Sequence, residues 1–105
     1  MPIKTYLFTA LVLLLSAGAS WSNDSAALHA RALAATCASC HGTEGRTIDG
    51  SAIPSLVGMP KSYMIMQMKA FKDGSRPATV MHQISKGITD DQVERLAVYF
   101  AATKR

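Results

Sequence analysis

Apolar positions repeat with helical spacing along most of the chain after residue 22, and no stretch there alternates polar and apolar residues as a strand does. A first helix is predicted with its N-cap at Asn23, Asp24 or Ser25, running directly into Cys37. Its predicted apolar face consists of Leu28, Ala32, Leu33 and Ala35. The pattern therefore predicts an all-α fold.

Two further helices are predicted in the second half of the chain. One extends from Lys61 to Lys72 and is stopped by Asp73 and Gly74. Its predicted buried stripe is Tyr63, Ile65, Met66, Met68 and Phe71. After a turn at Ser75 to Pro77, a short helix is predicted from Ala78 to Lys86, ending at Gly87.

The last helix has the clearest signals. Thr89 and Gln92 have capping-box spacing, and Asp90 and Asp91 suit the positive N-terminal end of a helix. Its predicted buried face is Val93, Leu96, Ala97, Phe100 and Ala101, and Lys104 and Arg105 close it.

The segment between the first two long helices has a different composition. From His41 to Pro60 it is rich in Gly and Pro and poor in apolar residues, which predicts an irregular loop. So long a loop is uncommon in a small domain unless it is functional. We therefore expect this loop to wrap a ligand.

The first 22 residues have the pattern of a secretory signal peptide. Lys4 precedes an apolar run from Tyr6 to Gly18, which is short for a membrane span. Cleavage is predicted after Ala19 or Ser22, leaving a single domain at 23–105. We expect a periplasmic protein with no stable membrane insertion after cleavage.

The remaining 83 residues are few for a self-sufficient core. The two cysteines, Cys37 and Cys40, are too close together to cross-link distant parts of the chain. A bulky cofactor could fill such a core. The net charge of +3 after cleavage suits an acidic protein partner, and no Lys/Arg cluster is dense enough to indicate nucleic-acid binding.

Residues 37–41 read Cys-Ala-Ser-Cys-His, the attachment sequence of c-type haem. On one helical turn, two thiols can reach the two vinyl groups of a porphyrin while the imidazole points at the iron. Cys37 and Cys40 are therefore predicted to form the thioethers, and His41 to be an axial ligand. The other nitrogen of His41 needs an acceptor, for which a carbonyl near Pro54 is the candidate.

Other uses of this motif stay open but fit less well. A thioredoxin-like redox pair requires a strand before the motif, whereas a helix is predicted there. A zinc site would have only His29 and His82 to add to Cys37, Cys40 and His41. A disulfide across so short a loop would stabilise little.

Met81 is the predicted second axial ligand, because it lies between two helices in the segment best placed to reach the opposite haem face. Met59 is close in sequence to His41 but stays open as an alternative. His82 could also bind the iron, although a solvated surface histidine is the simpler expectation. Met64, Met66 and Met68 are predicted to be packing residues, as methionines on a helix face usually are.

The whole mature chain resembles the small single-haem cytochromes c, in which the N- and C-terminal helices cross and pack. This resemblance implies a small cytochrome c fold of three to four helices around one covalent haem. Four segments further resemble the haem domain of the cytochrome subunit of flavocytochrome c sulfide dehydrogenase: CASCHGTEG (37–45), AFKDG (70–74), TVMHQISKG (79–87) and LAVYF (96–100).

The resemblance implies an electron-transfer subunit that is not catalytic by itself. It would take electrons from an FAD-binding subunit that oxidises sulfide and pass them to a soluble acceptor. The chain itself has no dinucleotide-binding motif, so FAD would be bound only by the partner. Lys61, Lys69, Lys72, Arg76 and Lys86 could steer an acidic partner.

Two other hypotheses stay open. A freely diffusing cytochrome would shuttle electrons between larger redox proteins. A haem sensor or catalyst would require that Met81 does not hold the iron.

Overall fold

The computed structural model describes the backbone of residues 18–104 and the side chains of residues 24–104. Within that range the chain is helical, with no strand. The described residues form five α-helices and a 3-10 turn at Thr43–Gly45. The α-helices are α1 (Gly18–Ala35), α2 (Ala38–His41), α3 (Lys61–Asp73), α4 (Met81–Lys86) and α5 (Asp90–Ala102).

The three long helices share one core. Helix α5 contacts both α1 and α3, while α4 packs on α3. The core cluster consists of Ala34, Met64, Met68, Val93, Leu96, Ala97 and Phe100. The predicted all-α fold, with its first and last helices packed together, is confirmed for the described residues.

Helix α1 differs from its prediction at both its start and its face. It begins at Gly18, ahead of the expected cap at residues 23–25, because no helix-breaking residue interrupts that stretch. Leu28 is 65% exposed, whereas Ala34 is buried. A small side chain lets α1 approach α5 closely, and Ala34 shares the core with Ala97, which is 0% exposed.

The predicted stripe of α3 is partly wrong. Tyr63 and Met66 are exposed, whereas Met64 and Met68, one turn apart, are buried. Several positions around this helix carry apolar residues, so the neighbouring helices decide which of them is covered.

The ends of the later helices follow the sequence signals. Helix α3 stops at Gly74, which has the left-handed conformation (φ 84°) of a glycine C-cap. Helix α4 begins at Met81 rather than Ala78. Both hydrogen bonds of the capping box between Thr89 and Gln92 are present in α5.

Helix α5 ends at Ala102, and Ala101 is exposed rather than buried. Residues 1–17, which include most of the predicted signal peptide, and Arg105 lie outside the described residues. The described helices include none that is long and apolar enough to cross a membrane.

Candidate functional site

The cysteine pair and His41 lie on one helical turn. The amide of Cys37 donates to Ala34 O (3.1 Å), which joins the end of α1 to the motif. The amide of His41 then donates to Cys37 O (2.9 Å). Helix α2 thus brings the two thiols and the imidazole together as the motif predicts.

The two thiols have different surroundings. Cys37 is half-buried, Cys40 is exposed, and both are free. Burial raises the pKa of the Cys37 thiol, against the smaller opposite effect of the Thr36 hydroxyl. A reactive redox cysteine has a lowered pKa, so this environment does not favour a thioredoxin-like pair.

The imidazole of His41 is held by the loop. Its Nδ1 lies 2.7 Å from the carbonyl oxygen of Pro54, as predicted. A carbonyl can only accept, so Nδ1 carries the proton and donates. The lone pair of Nε2 is therefore free to bind a metal, and this donor set fits the iron of a c-type haem.

A short-range network holds the Pro54 carbonyl in place. The amide of Leu56 donates to Gly45 O (2.8 Å), and the hydroxyl of Ser55 donates to the same oxygen (3.0 Å). Gly42 has φ 81°, and a Cβ there would lie 2.0 Å from Arg46 O, so the turn after the motif requires glycine. The loop therefore closes on itself around residues 45–56.

The loop is also fixed to the last helix. A Cβ on Gly45 would lie 2.6 Å from Cε1 of Phe100, which shows how closely this turn packs on α5. The amide of Gly58 donates to Phe100 O (2.9 Å). These roles of Gly45 and Phe100 were not predicted, because a glycine in the sequence does not reveal which side chain it contacts.

Met81 is the first residue of α4 and is half-buried against the core cluster. Cys37 and Met59 pack against the same cluster. Met64 and Met68 are members of this cluster, so four methionines share a packing environment with the motif. Met66, by contrast, is exposed.

His82 is not the solvated surface histidine that we expected. It is half-buried, and its Nδ1 is buried with no hydrogen-bond partner among the described residues. An unpaired buried polar group costs about 1–3 kcal/mol. His29, on α1, is exposed.

Large apolar side chains remain exposed on the elements that follow the loop. Exposed apolar side chains of this size, when they are grouped, usually mark a binding site. They are Tyr63 and Met66 on α3, and Val80 and Ile84 at α4.

Three of the five basic residues predicted to steer a partner have intramolecular contacts. Lys61 lies 3.4 Å from Glu94, and Lys72 lies 3.1 Å from Asp90. Arg76 stacks on the Phe71 ring, with its guanidinium carbon 4.6 Å from the ring centre. An ion pair offsets part of the charge of each lysine, so these two contribute less to steering than the sequence predicts.

Comparison with known proteins places residues 24–100 in a family described as cytochrome C oxidase, cbb3-type, subunit III. The cytochrome subunit of sulfide dehydrogenase of Chlorobaculum tepidum is 41% identical over 68 residues, 65% of this chain and 60% of that one. The thiosulfate dehydrogenase electron acceptor of Thiomonas intermedia is 37% identical over 71 residues, 68% of this chain and 33% of that one.

Cytochrome c-554(548) of Halomonas halodenitrificans is 31% identical over 70 residues, 64% of this chain and 83% of that one. The chain spans 60% of the sulfide dehydrogenase subunit and a third of the thiosulfate dehydrogenase acceptor. These relatives differ in length but share one kind of domain with this chain.

Proposed function

The chain belongs to the family of c-type cytochrome domains described as cytochrome C oxidase, cbb3-type, subunit III, and from this premise we propose that it transfers electrons in the periplasm through one haem c. The proposal assigns Cys37 and Cys40 to the thioether bonds. It assigns His41 and Met81 to the two axial positions on the iron.

The hydrogen bond from His41 Nδ1 to Pro54 O is the observation that carries the proposal. At 2.7 Å it fixes the tautomer and limits rotation of the imidazole ring. A backbone carbonyl as acceptor, held in turn by the loop, is the usual support of a metal-binding histidine. Both groups of this hydrogen bond belong to the chain itself.

Met81 as the second ligand determines what the haem can do. A thioether opposite histidine raises the reduction potential, and two protein ligands leave no open position for a substrate or gas. The ligand set therefore favours electron transfer over catalysis at the iron. Its place as the first residue of α4, beside the core cluster that Cys37 also contacts, supports this role.

Haem supplies an iron that takes up and releases one electron. The residues of the chain supply the rest: the two cysteines fix the ring, and Pro54 holds the imidazole of His41 in one orientation. Because this orientation is set by a hydrogen bond within the chain, it can stay the same in both oxidation states. Small structural change on electron transfer favours a fast reaction.

We propose an FAD-binding sulfide dehydrogenase subunit as the electron donor. The relative from Chlorobaculum tepidum is a cytochrome subunit of sulfide dehydrogenase, and the four segments quoted above resemble that kind of subunit. Flavin chemistry would belong to the partner, and a soluble redox protein would accept the electron. Residues 1–22 would direct export.

A freely diffusing carrier is the second candidate function. The relative from Thiomonas intermedia is named for accepting electrons from thiosulfate dehydrogenase. That name favours a carrier that receives electrons from a separate donor enzyme. The two candidates share the haem site and differ in whether the partner is bound permanently.

The axial ligand can be tested with two methionine variants. Met81→Ala should abolish the near-infrared band that ferric haem shows with a methionine ligand, whereas the matched control Met59→Ala should keep it. Both methionines are half-buried against the same cluster, so the control matches the change in packing. Loss of the band in Met59→Ala alone would assign the ligand to Met59 instead.

The partner can be tested on protein purified natively from periplasm by size exclusion. Flavin in a fixed ratio to haem, in a peak much heavier than the chain, would support the dehydrogenase subunit. Haem alone in a peak of the chain's own size would support the diffusing carrier. Absence of covalent haem from every fraction would refute both candidate functions.

A further inference from the structure

His82 has a buried ring nitrogen for which the described residues provide no hydrogen-bond partner. This nitrogen is Nδ1. Burying an imidazole nitrogen without a partner is unfavourable, so the sequence has no packing reason to keep histidine at this position. The residue follows Met81 directly in α4.

The first turn of α4 lacks a side-chain cap. The helix has only six residues, and Val80 at its N-cap makes no side-chain hydrogen bond to it. The amides of Gln83 and Ile84 both donate to the carbonyl of Val80 (2.9 and 3.1 Å). Capping groups of the usual kind stabilise a helix start, and this start lacks one.

The two ends of α4 differ in their attachment. Ser85, near its C-terminal end, is fully buried, and its hydroxyl donates to His82 O (3.3 Å). Before the helix, residues 74–80 have no regular structure. We therefore expect the first turn to rearrange more readily than the last.

We propose that His82 is a reserve axial ligand, whose imidazole binds the haem iron when the thioether of Met81 leaves it. This inference rests on the proposed ligation by His41 and Met81. The exchange is a ligand substitution: a sulfur lone pair leaves the iron, a nitrogen lone pair replaces it, and the oxidation state is unchanged. Neighbouring helical residues point about 100° apart, so the first turn of α4 must rearrange for the exchange.

Such a ligand keeps the iron six-coordinate after Met81 is lost. With no open position, the haem does not become a site for gases. Replacing a thioether with a second imidazole also lowers the reduction potential, because methionine ligation is what raises it. The cytochrome would then hold its electron less tightly rather than acquire a new reaction.

The test uses full-length protein with covalent haem, compared as Met81→Ala and as Met81→Ala with His82→Ala. We expect ferric Met81→Ala to be low-spin by electron paramagnetic resonance and the double variant to be high-spin. If His82 occupies more than about nine-tenths of the iron sites, carbon monoxide should bind ferrous Met81→Ala about tenfold more weakly than the double variant. Free imidazole should return the double variant to the low-spin state.

Several controls separate this inference from the proposed function. His82→Ala alone should keep the near-infrared band of methionine ligation, and absence of that band from the wild type would contradict the proposed ligand set itself. A high-spin Met81→Ala variant beside a normal wild type would overturn the reserve ligand only. A low-spin double variant that becomes high-spin on adding Met59→Ala would show that Met59 is the reserve instead.

A variant that fails to fold need not leave the inference undecided. Met81→Leu removes the thioether while keeping nearly the same volume, and the same comparison with and without His82→Ala applies. Far-ultraviolet circular dichroism of each variant establishes that the helices are present. The spin states are then compared only among folded proteins.

Discussion

The loop after the motif and the segment around Met81 are built in opposite ways. Residues 42–58 have little regular structure, yet Pro54 is hydrogen-bonded to His41 and Gly58 to Phe100 of α5. Within the loop, the amide of Leu56 also donates to Gly45 O. Residues 74–88 contain a helix, yet its first turn has no side-chain cap and includes the imidazole of His82, whose Nδ1 has no hydrogen-bond partner among the described residues. Regular structure is thus a poor guide to how rigidly a side chain is held.

This contrast has a chemical consequence for the two proposed ligands. His41 is oriented by the protein before it meets a metal, so little conformational entropy is lost when it binds. The orientation of the Met81 side chain would depend more on its bond to the iron. We therefore expect substitutions near His41 to affect the stability of the protein most. Substitutions near Met81 should mainly affect exchange of the iron ligand.

The largest effect should follow removal of the covalent attachment. In Cys37→Ala with Cys40→Ala we expect no covalently bound haem and loss of the stable fold, because the described core has few buried side chains. A haem stain after denaturing electrophoresis and circular dichroism measure the two outcomes. Ser39→Ala, on the same turn but without loss of a thiol, should keep both; a stably folded double variant would refute the expectation.

A smaller effect should follow Gly45→Ala in the rigid loop. Its φ of 78° disfavours alanine, and the new Cβ would lie 2.6 Å from Phe100, so strain and overpacking together should cost about 3 kcal/mol. Gly50→Ala is the matched control: its φ is 79°, but nothing lies within 4 Å of the new Cβ, so about 1 kcal/mol is expected. Denaturant unfolding measures both, and equal losses would show that contact with Phe100 is unimportant.

The smallest effect should come from Asp73, the last residue of α3, directly before residues 74–88. Hydrogen bonds from the Ser75 hydroxyl and amide lower the pKa of its carboxyl; the amide bond is 2.8 Å. A lowered pKa in the folded state stabilises above the unfolded value of about 3.9, and this stability is lost as the pH falls through the folded pKa. Asp73→Asn should thus have the lower Tm at neutral pH.

The pH dependence provides the check on Asp73. Thermal unfolding of the wild type and Asp73→Asn should give Tm values that converge as the pH falls through the lowered pKa of Asp73. Ser75→Ala should reduce the difference at neutral pH, since it removes the hydroxyl that contributes most. A difference that persists unchanged in acid would show that the charge of Asp73 is not its cause.

Much of the helical fold could be predicted because it depends on local signals. The capping box at Thr89 and the glycine C-cap at Gly74 concern neighbouring backbone groups, and both are present. The buried face of α1 could not be predicted in the same way. Leu28 is the more apolar residue, but Ala34 is buried because α5 is close enough to require a small side chain.

The site shows the same division. The motif predicts how Cys37, Cys40 and His41 lie on one turn, and the need of imidazole for an acceptor pointed to Pro54. The unpaired Nδ1 of His82 was missed, because its burial depends on tertiary packing that the sequence pattern does not show. The second axial ligand stays a prediction for the same reason.

The attachment of the loop to Phe100 also bears on how the molecule opens. Gly58 donates to the Phe100 carbonyl, Gly45 packs on the Phe100 ring, and Leu56 donates to Gly45. In amide hydrogen exchange, the Leu56 and Gly58 amides should thus exchange as slowly as the core of α5, through global unfolding rather than local fluctuation. An irregular loop would then belong to the most protected cooperative unit of the protein.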